Sequence, residues 1–309
     1  MRLAGGAIAA ARLRVHGKLA AGEIVDAVLI ARSAGSPRGT LRFASGEEAL
    51  VDRLPADARE GALLRAHVTR PAMAERGRFK RAQARPAPGA PVTTAPTLAQ
   101  ALEREGHTAT AVRDFGPEWD ELLDEARGGD IAFPGGALAI APTPAMTLID
   151  IDGTLPPRAL ALAAVPALAA SIARLDLAGS IGIDFPTLAE KADRRAVDEA
   201  LAAALGGWPH ERTAMNGFGF IQIVARLERA SLLATARYDA LGTAARQLLR
   251  RAERVAAPGV LLITAGAAVR AKITAGWEAD LARRTGRVVR FVTDSALAPE
   301  AGFVQATVP

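Results

Sequence analysis

The chain has 309 residues, half of them apolar, and 38 Lys and Arg stand against 33 Asp and Glu for a formal net charge of +5. That length accommodates two or three small domains, and the apolar share is ample for a packed core. No uncharged apolar run reaches the 18 or more residues that a membrane-spanning helix needs, and the complete lack of cysteine excludes disulfides, thiolate catalysis and thiolate-held zinc or iron–sulfur centres.

The mildly basic balance permits a nucleic-acid partner without requiring one. Met1 to Gly6 lacks the apolar stretch of a secretory signal, so a cytoplasmic protein is expected. His16, His67, His107 and His210 are scattered without ligand spacing and are assigned no metal.

Residues 1–85 read as short strands separated by turns. Gly6–Val15, which alternates in part, Glu23–Ile30, Thr40–Phe43, Ala49–Val51 and Leu63–Thr69 are the expected strands, with turn residues such as Ser33-Ala34-Gly35-Ser36-Pro37 between them. Five short strands without a long helix predict a small β-barrel of oligonucleotide-binding type. The segment closes on Arg76-Gly77-Arg78-Phe79-Lys80-Arg81-Ala82-Gln83-Ala84-Arg85. Arg78, Lys80 and Arg81 suit phosphate neutralisation and Phe79 suits base stacking. A plain solvated basic loop is the alternative. Residues 86–98, rich in proline, read as a linker.

From 99 to 235 the pattern changes to helices alternating with strands. Helices are expected over Leu98–Glu105, Trp119–Ala126, Arg158–Leu175 and Ala192–Leu205. Strands are expected over Ile131–Phe133, Ala137–Ile140, Thr147–Ile151 and Ser180–Ile183. Of Thr213–Met215 and Phe218–Val224, one reads as a strand and the other as the opening of a helix. Residues 236–309 read as a small α+β domain, with helices over Ala240–Ala256 and Ala265–Arg284, the second broken near Gly276. Its strands fall at Val260–Thr264, Arg287–Val292 and Phe303–Ala306. The fold class is therefore mixed α+β and α/β, in several domains.

Two of the core strands end on acid. Met146-Thr147-Leu148-Ile149-Asp150-Ile151-Asp152-Gly153 puts Asp150 and Asp152 on one face, because side chains alternate along a strand. Gly179-Ser180-Ile181-Gly182-Ile183-Asp184-Phe185 brings Asp184 to the end of a run expected to be buried on both sides. Removing carboxylates from water is costly unless a cation or hydrogen bonds offset it. Hard oxygen donors suit magnesium. The alternative is that these acids cap helices or solvate turns. Paired acidic strand ends also occur in phosphatases, kinases and nucleases of unrelated folds.

These residues carry a likeness. Phe133 to Ile140 followed by Met146 to Gly153, then Leu177 to Phe185, Arg194 to Val197, and Asn216 to Ile223, resemble successive passages of the ribonuclease E/G family. The likeness covers about residues 99–309, and its specific part is the two acidic strands. It implies a nuclease core, a small C-terminal domain, and a magnesium-dependent endoribonuclease that hydrolyses single-stranded RNA to leave a 5′-phosphate. The resemblance places Asp150 and Asp184 on the two metal-binding, catalytic aspartates, with Asp152 where the family has asparagine. Arg194, Arg195, Arg226 and Arg229 are candidates to steady RNA phosphates.

The departures are specific. The family's paired zinc-binding cysteines have no counterpart near Leu233 to Ala240, so any homo-oligomer is held without a zinc link. The stretch from Pro86 to Arg113 is too short for the family's 5′-phosphate sensor. Gly217 replaces an arginine and Gln222 a glutamate. Two other readings stand beside this short, zinc-free nuclease. One is a non-catalytic RNA-binding protein that keeps the fold. The other is a metal-dependent phosphatase, suggested by Asp150-Ile151-Asp152-Gly153-Thr154.

Overall fold

The structure, a computed structural model, describes residues 2–4, 7–14, 18–112 and 115–308, with the side chains of 2–4, 7 and 78 outside the description. It is mixed α/β and divides into two compact units, Met1–Ala234 and Thr235–Pro309. The second unit holds eleven Arg and Lys against six Asp and Glu, so its charge of +5 equals the net charge of the whole chain.

The first unit opens with a hairpin of β1 (Arg2–Ala4) and β2 (Ala7–Ala10). A closed barrel follows, built from β3 (Ile24–Arg32), β4 (Gly39–Phe43), β5 (Glu48–Val51), β6 (Leu63–Arg70) and, after the small hairpin β7 (Met73–Glu75) and β8 (Arg78–Lys80), β9 (Ala82–Pro86). Its order is β3-β4-β5-β9-β6, closed by β3 against β6, and only the β5–β9 pair is parallel. The interior is narrow and filled with small and branched side chains: Ala27, Leu29, Leu41, Phe43, Ala49, Val51, Ala66, Val68, Ala82 and Ala84 are all buried.

Five strands are present as expected, but one of the expected five is replaced by another. Of the expected first strand, Gly6 and Val15 lie outside the described residues, as does His16. The described part pairs with β1, and β2 packs on a helix of the following layer rather than in the barrel. The fifth strand is instead β9, inside the segment read as a basic loop. Ala82 and Ala84 face the barrel core while Gln83 and Arg85 face water, so two methyl groups suffice to make this a strand. The proline-rich stretch is also tied down. The Ala87 N–H donates to the Arg65 carbonyl at 2.9 Å, and Thr93 and Ile24 exchange backbone hydrogen bonds at 2.9 Å each.

The chain then forms α1 (Leu98–Arg104), α2 (Glu118–Gly128), β10 (Asp130–Phe133), β11 (Gly136–Pro142), β12 (Thr147–Gly153), α3 (Pro157–Arg174), β13 (Gly179–Asp184), α4 (Lys191–Ala204), β14 (Glu211–Arg212) and β15 (Phe220–Ala225). The strands make a six-stranded sheet of order β10-β11-β12-β13-β15-β14 in which only β12 and β13 are parallel, joined by the α3 crossover. Phe218–Val224 therefore opens no helix: its greater part lies in β15, and the short partner strand is Glu211–Arg212 rather than Thr213–Met215. Leu138, Ile140, Ile149, Ile151, Ile181, Ile183, Ile221 and Ile223 point to one face and are buried, as are Leu160, Ala164 and Leu168 of α3 and Val197 and Leu201 of α4. α3 packs on β10, β11 and β12 and against α4. The other face is open: Ala132, Ala139, Leu148, Asp150, Asp152, Asp184 and Val224 are exposed on it.

The boundary of the two units falls inside α5 (Leu232–Tyr238). The second unit contains α6 (Ala240–Arg254), β16 (Val260–Ala265), α7 (Ala267–Arg270), α8 (Ala275–Thr285), β17 (Val289–Thr293) and β18 (Phe303–Thr307). Its sheet has order β17-β16-β18, with β16–β17 parallel and β16–β18 antiparallel. Leu261, Ile263 and Ala265 pack with Leu248, Val269 and Leu281 from the three helices. The helix expected over Ala265–Arg284 is two helices, parted at 271–274 where Thr274 caps α8 by accepting from the Trp277 N–H at 3.2 Å.

Candidate active site

β12 alternates cleanly. Ile149 and Ile151 are buried, and Leu148, Asp150 and Asp152 face water. β13 does the same with smaller residues: Ile181 and Ile183 enter the core while Ser180, Gly182 and Asp184 look to the open face. The parallel register sets Asp150 directly opposite Asp184, on strands about 4.8 Å apart. The same row continues through Ala139 to Asp130 on one side and to Phe220 on the other. Asp152 lies two residues further along β12, opposite Ala137.

All three expected acids are exposed, not desolvated at the ends of buried strands. The strands are covered by helices on one face only, and Asp184 sits on the uncovered one. Asp130, which the sequence reading passed over, joins the row because β10 and β11 are connected by the tight Pro134-Gly135 turn. Gly135 has φ +89 there, a conformation that favours glycine. A side chain on Gly136 would strike the Asp152 carbonyl oxygen at 2.4 Å, and one on Gly153 the Gly135 carbonyl oxygen at 2.3 Å. These glycines let β11 and β12 approach closely where Asp152 sits.

Beside the acids is a small apolar cover. A side chain on Gly182 would meet Phe220 Cζ at 2.5 Å, Met146 Sδ at 2.9 Å and Leu148 Cδ2 at 3.0 Å. These three side chains close over the backbone next to Asp184. Gln222, one step along β15, donates from Nε2 to Ser180 Oγ at 3.3 Å.

The structure separates the candidate arginines. Arg194 donates from Nη1 to the carbonyls of Leu188 and Ala189 at 2.5 and 2.8 Å, holding the loop that leaves Asp184. Arg195 is exposed and paired with Glu199 at 2.8 Å, one helical turn on. Arg226 follows the far end of β15. The five steps from Phe220 to Ala225 span roughly 17 Å at strand rise, so Arg226 and Arg229 stand well away from the Asp150–Asp184 pair. They line a separate cleft with Arg12, Glu105 and Asp176. In that cleft Arg229 forks onto Asp176 at 2.5 and 3.2 Å. Arg12 donates to Glu105 at 2.6 Å, which holds the Glu105 carboxyl below its ordinary range and raises the Arg12 guanidinium above its own.

The basic segment is a hairpin joined to a barrel strand. Phe79 is 66% exposed at β8. Lys80 pairs with Glu75 at 3.3 Å and Arg81 with Glu48 at 3.7 Å. The side chain of Arg78 lies outside the described residues. Beneath the hairpin, Arg70 is buried and donates from Nη2 to the Arg81 carbonyl at 2.8 Å and from Nε to Gln83 Oε1 at 3.3 Å. Burial pulls its pKa below the ordinary arginine value. Sequence patterning gave no sign of Arg70, which ends a strand whose other buried positions, Ala66 and Val68, are apolar.

Among the described residues no three His, Cys, Asp or Glu side chains are grouped so as to hold a metal ion by themselves, and no helix is long and apolar enough to cross a membrane. Two facing carboxylates still suit magnesium. That ion commonly keeps several waters and takes one or two carboxylates plus substrate phosphate oxygens. The sequence matches no protein-family model and no curated protein.

Proposed function

We propose that the chain is a magnesium-dependent endoribonuclease that hydrolyses single-stranded RNA, a short and zinc-free relative of the ribonuclease E/G family. The observation that carries this reading is the facing pair Asp150–Asp184 on an open sheet face. The resemblance assigns these two residues as metal-binding aspartates. Asp150 and Asp184 would hold the magnesium ion, with Asp152 beside them, and the bound ion would supply water activation and charge neutralisation at the phosphate. The exposed face lets a flexible strand reach both carboxylates. Arg194 acts on the site indirectly, by fixing the 185–190 loop.

The barrel supports an RNA ligand. Its strand order, with the first strand closing against the fourth and the third parallel to the fifth, is consistent with an oligonucleotide-binding barrel. Such barrels use the loop between their fourth and fifth strands for binding. Here that loop is the hairpin bearing Arg78, Phe79 and Lys80. Lys80 and Arg81 are in surface ion pairs worth under about 1 kcal/mol each, so phosphate can compete for them.

The test is incubation of the purified protein with end-labelled single-stranded RNA, with and without magnesium. Cleavage to 5′-phosphate products only with magnesium is the expected result. A second reading, an RNA-binding protein without catalysis, is favoured because no third His, Cys, Asp or Glu among the described residues is grouped with the pair to hold a metal. It predicts a stable complex and intact RNA under both conditions.

A further inference from the structure

Phe218 is 81% exposed, although it lies next to the strand end that carries Asp184. Its turn is firmly built. Asn216 Oδ1 accepts from the N–H groups of Phe218 at 2.9 Å and Phe220 at 3.0 Å. The Gly219 N–H donates to the Asn216 carbonyl at 3.2 Å, and Thr187 Oγ1 donates to the Phe218 carbonyl at 3.3 Å. The turn is also tied to the acidic strand: the Phe185 N–H donates to the Gly219 carbonyl at 3.2 Å, and Phe220 is the register partner of Asp184. Gly219, at φ +92, brings its Cα so near the Phe185 carbonyl that a side chain there would lie 2.4 Å from the oxygen.

A turn fixed by an Asn side chain has no structural need of an aromatic ring, and leaving one in water forgoes the gain of burying it. Gly217, just before it, has no heavy atom near enough to touch an added side chain, so the approach to the ring is open. We propose that Phe218 is a base-stacking residue. It receives one nucleobase of single-stranded RNA next to the phosphate that a metal ion at Asp150 and Asp184 would bind, and so positions the adjoining linkage at the site. This rests on the ribonuclease reading and adds a substrate-positioning side chain to it. Stacking on an aromatic ring tolerates any base, which suits a single-stranded substrate.

The experiment measures affinity of the full chain for a fluorescently labelled single-stranded RNA in EDTA, where no cleavage occurs, and maps cut positions in magnesium. Phe218→Ala is expected to weaken binding by about 5- to 150-fold, the range of one base–aromatic stack, while its thermal melt matches the parent. Phe218→Trp is expected to retain parental affinity within about threefold. RNAs with a single abasic nucleotide, moved one position at a time, should show one position at which parent and Phe218→Ala bind alike. Parental affinity and unchanged cut positions in Phe218→Ala would overturn the proposal. So would a loss that Trp does not restore, or one indifferent to the abasic position. These failures leave magnesium-dependent cleavage by the parent intact. A parent that neither binds nor cuts RNA removes the ribonuclease reading, and the role of Phe218 with it.

Discussion

Asp150 and Asp184 are register partners across the parallel β12–β13 pair, and both point away from the helices that cover the sheet. A parallel pair needs a crossover, and α3 provides it. Two carboxylates from segments 34 positions apart are thereby set on neighbouring strands, with Ile149, Ile151, Ile181 and Ile183 anchoring them from below.

The turn beside this pair should be sensitive at one glycine and tolerant at the next but one. Gly219→Ala must adopt a left-handed backbone, at about 1–2 kcal/mol, and also relieve a contact with the Phe185 carbonyl. A loss of about 2 kcal/mol or more is expected, lowering Tm by at least about 4 °C for a unit of this size. Gly217→Ala meets no obstruction and should stay within about 0.5 kcal/mol of the parent. Calorimetry of both variants checks this, and equal melting points would refute the geometry of the turn.

Barrel stability should fall on mild acidification. His67 on β6 faces Arg85 on β9, and Arg85 Nε donates to His67 Nδ1 at 3.1 Å. Burial first, and the Arg85 charge second, lower the imidazole pKa. The unfolded chain therefore takes up the proton before the folded one does. Stability present above the unfolded value, about 6.5, is lost as pH falls through that value towards the lower folded one. The Tm difference between parent and His67→Gln, followed from pH 8 to 5.5, should shift against the parent below about pH 6.5. A difference that does not change with pH would contradict the pairing.

The basic hairpin should supply a phosphate grip that salt weakens. Each single-strand phosphate contact adds about 0.7 to the slope of log affinity against log salt. The triple replacement of Arg78, Lys80 and Arg81 by alanine should flatten that slope by up to about two units. Phe79→Ala should weaken binding, by roughly 1–3 kcal/mol if it holds one base, without changing the slope. Affinity across a salt series distinguishes these outcomes, and a parental slope in the triple variant would make the hairpin a solvated surface.

Much of the local structure was legible because period-2 patterning is strong where residues are large. Leu148-Ile149-Asp150-Ile151-Asp152 announces both the strand and the shared face of its acids. The pattern misleads where residues are small. Ala82 and Ala84 look like spacers among basic residues, yet they are the inward positions of the fifth barrel strand. Gly182 hides the fact that β13 has one open face, so the sequence pattern puts Asp184 at the end of a strand buried on both sides. Register between strands was not legible at all. That Asp130 shares a row with Asp150 depends on the Pro134-Gly135 turn and the β11–β12 pairing together. The distance of Arg226 from the acids follows from the direction of β15, which periodicity does not reveal.

The central claim is that the facing carboxylates are the hydrolytic site, and it is tested most directly by RNA cleavage with Asp150→Asn and Asp184→Asn. Both side chains are exposed, so each variant should melt within about 0.5 kcal/mol of the parent. The account predicts that each loses at least about a hundredfold in turnover at saturating magnesium while RNA affinity in EDTA is kept. Parental turnover in either folded variant would contradict it.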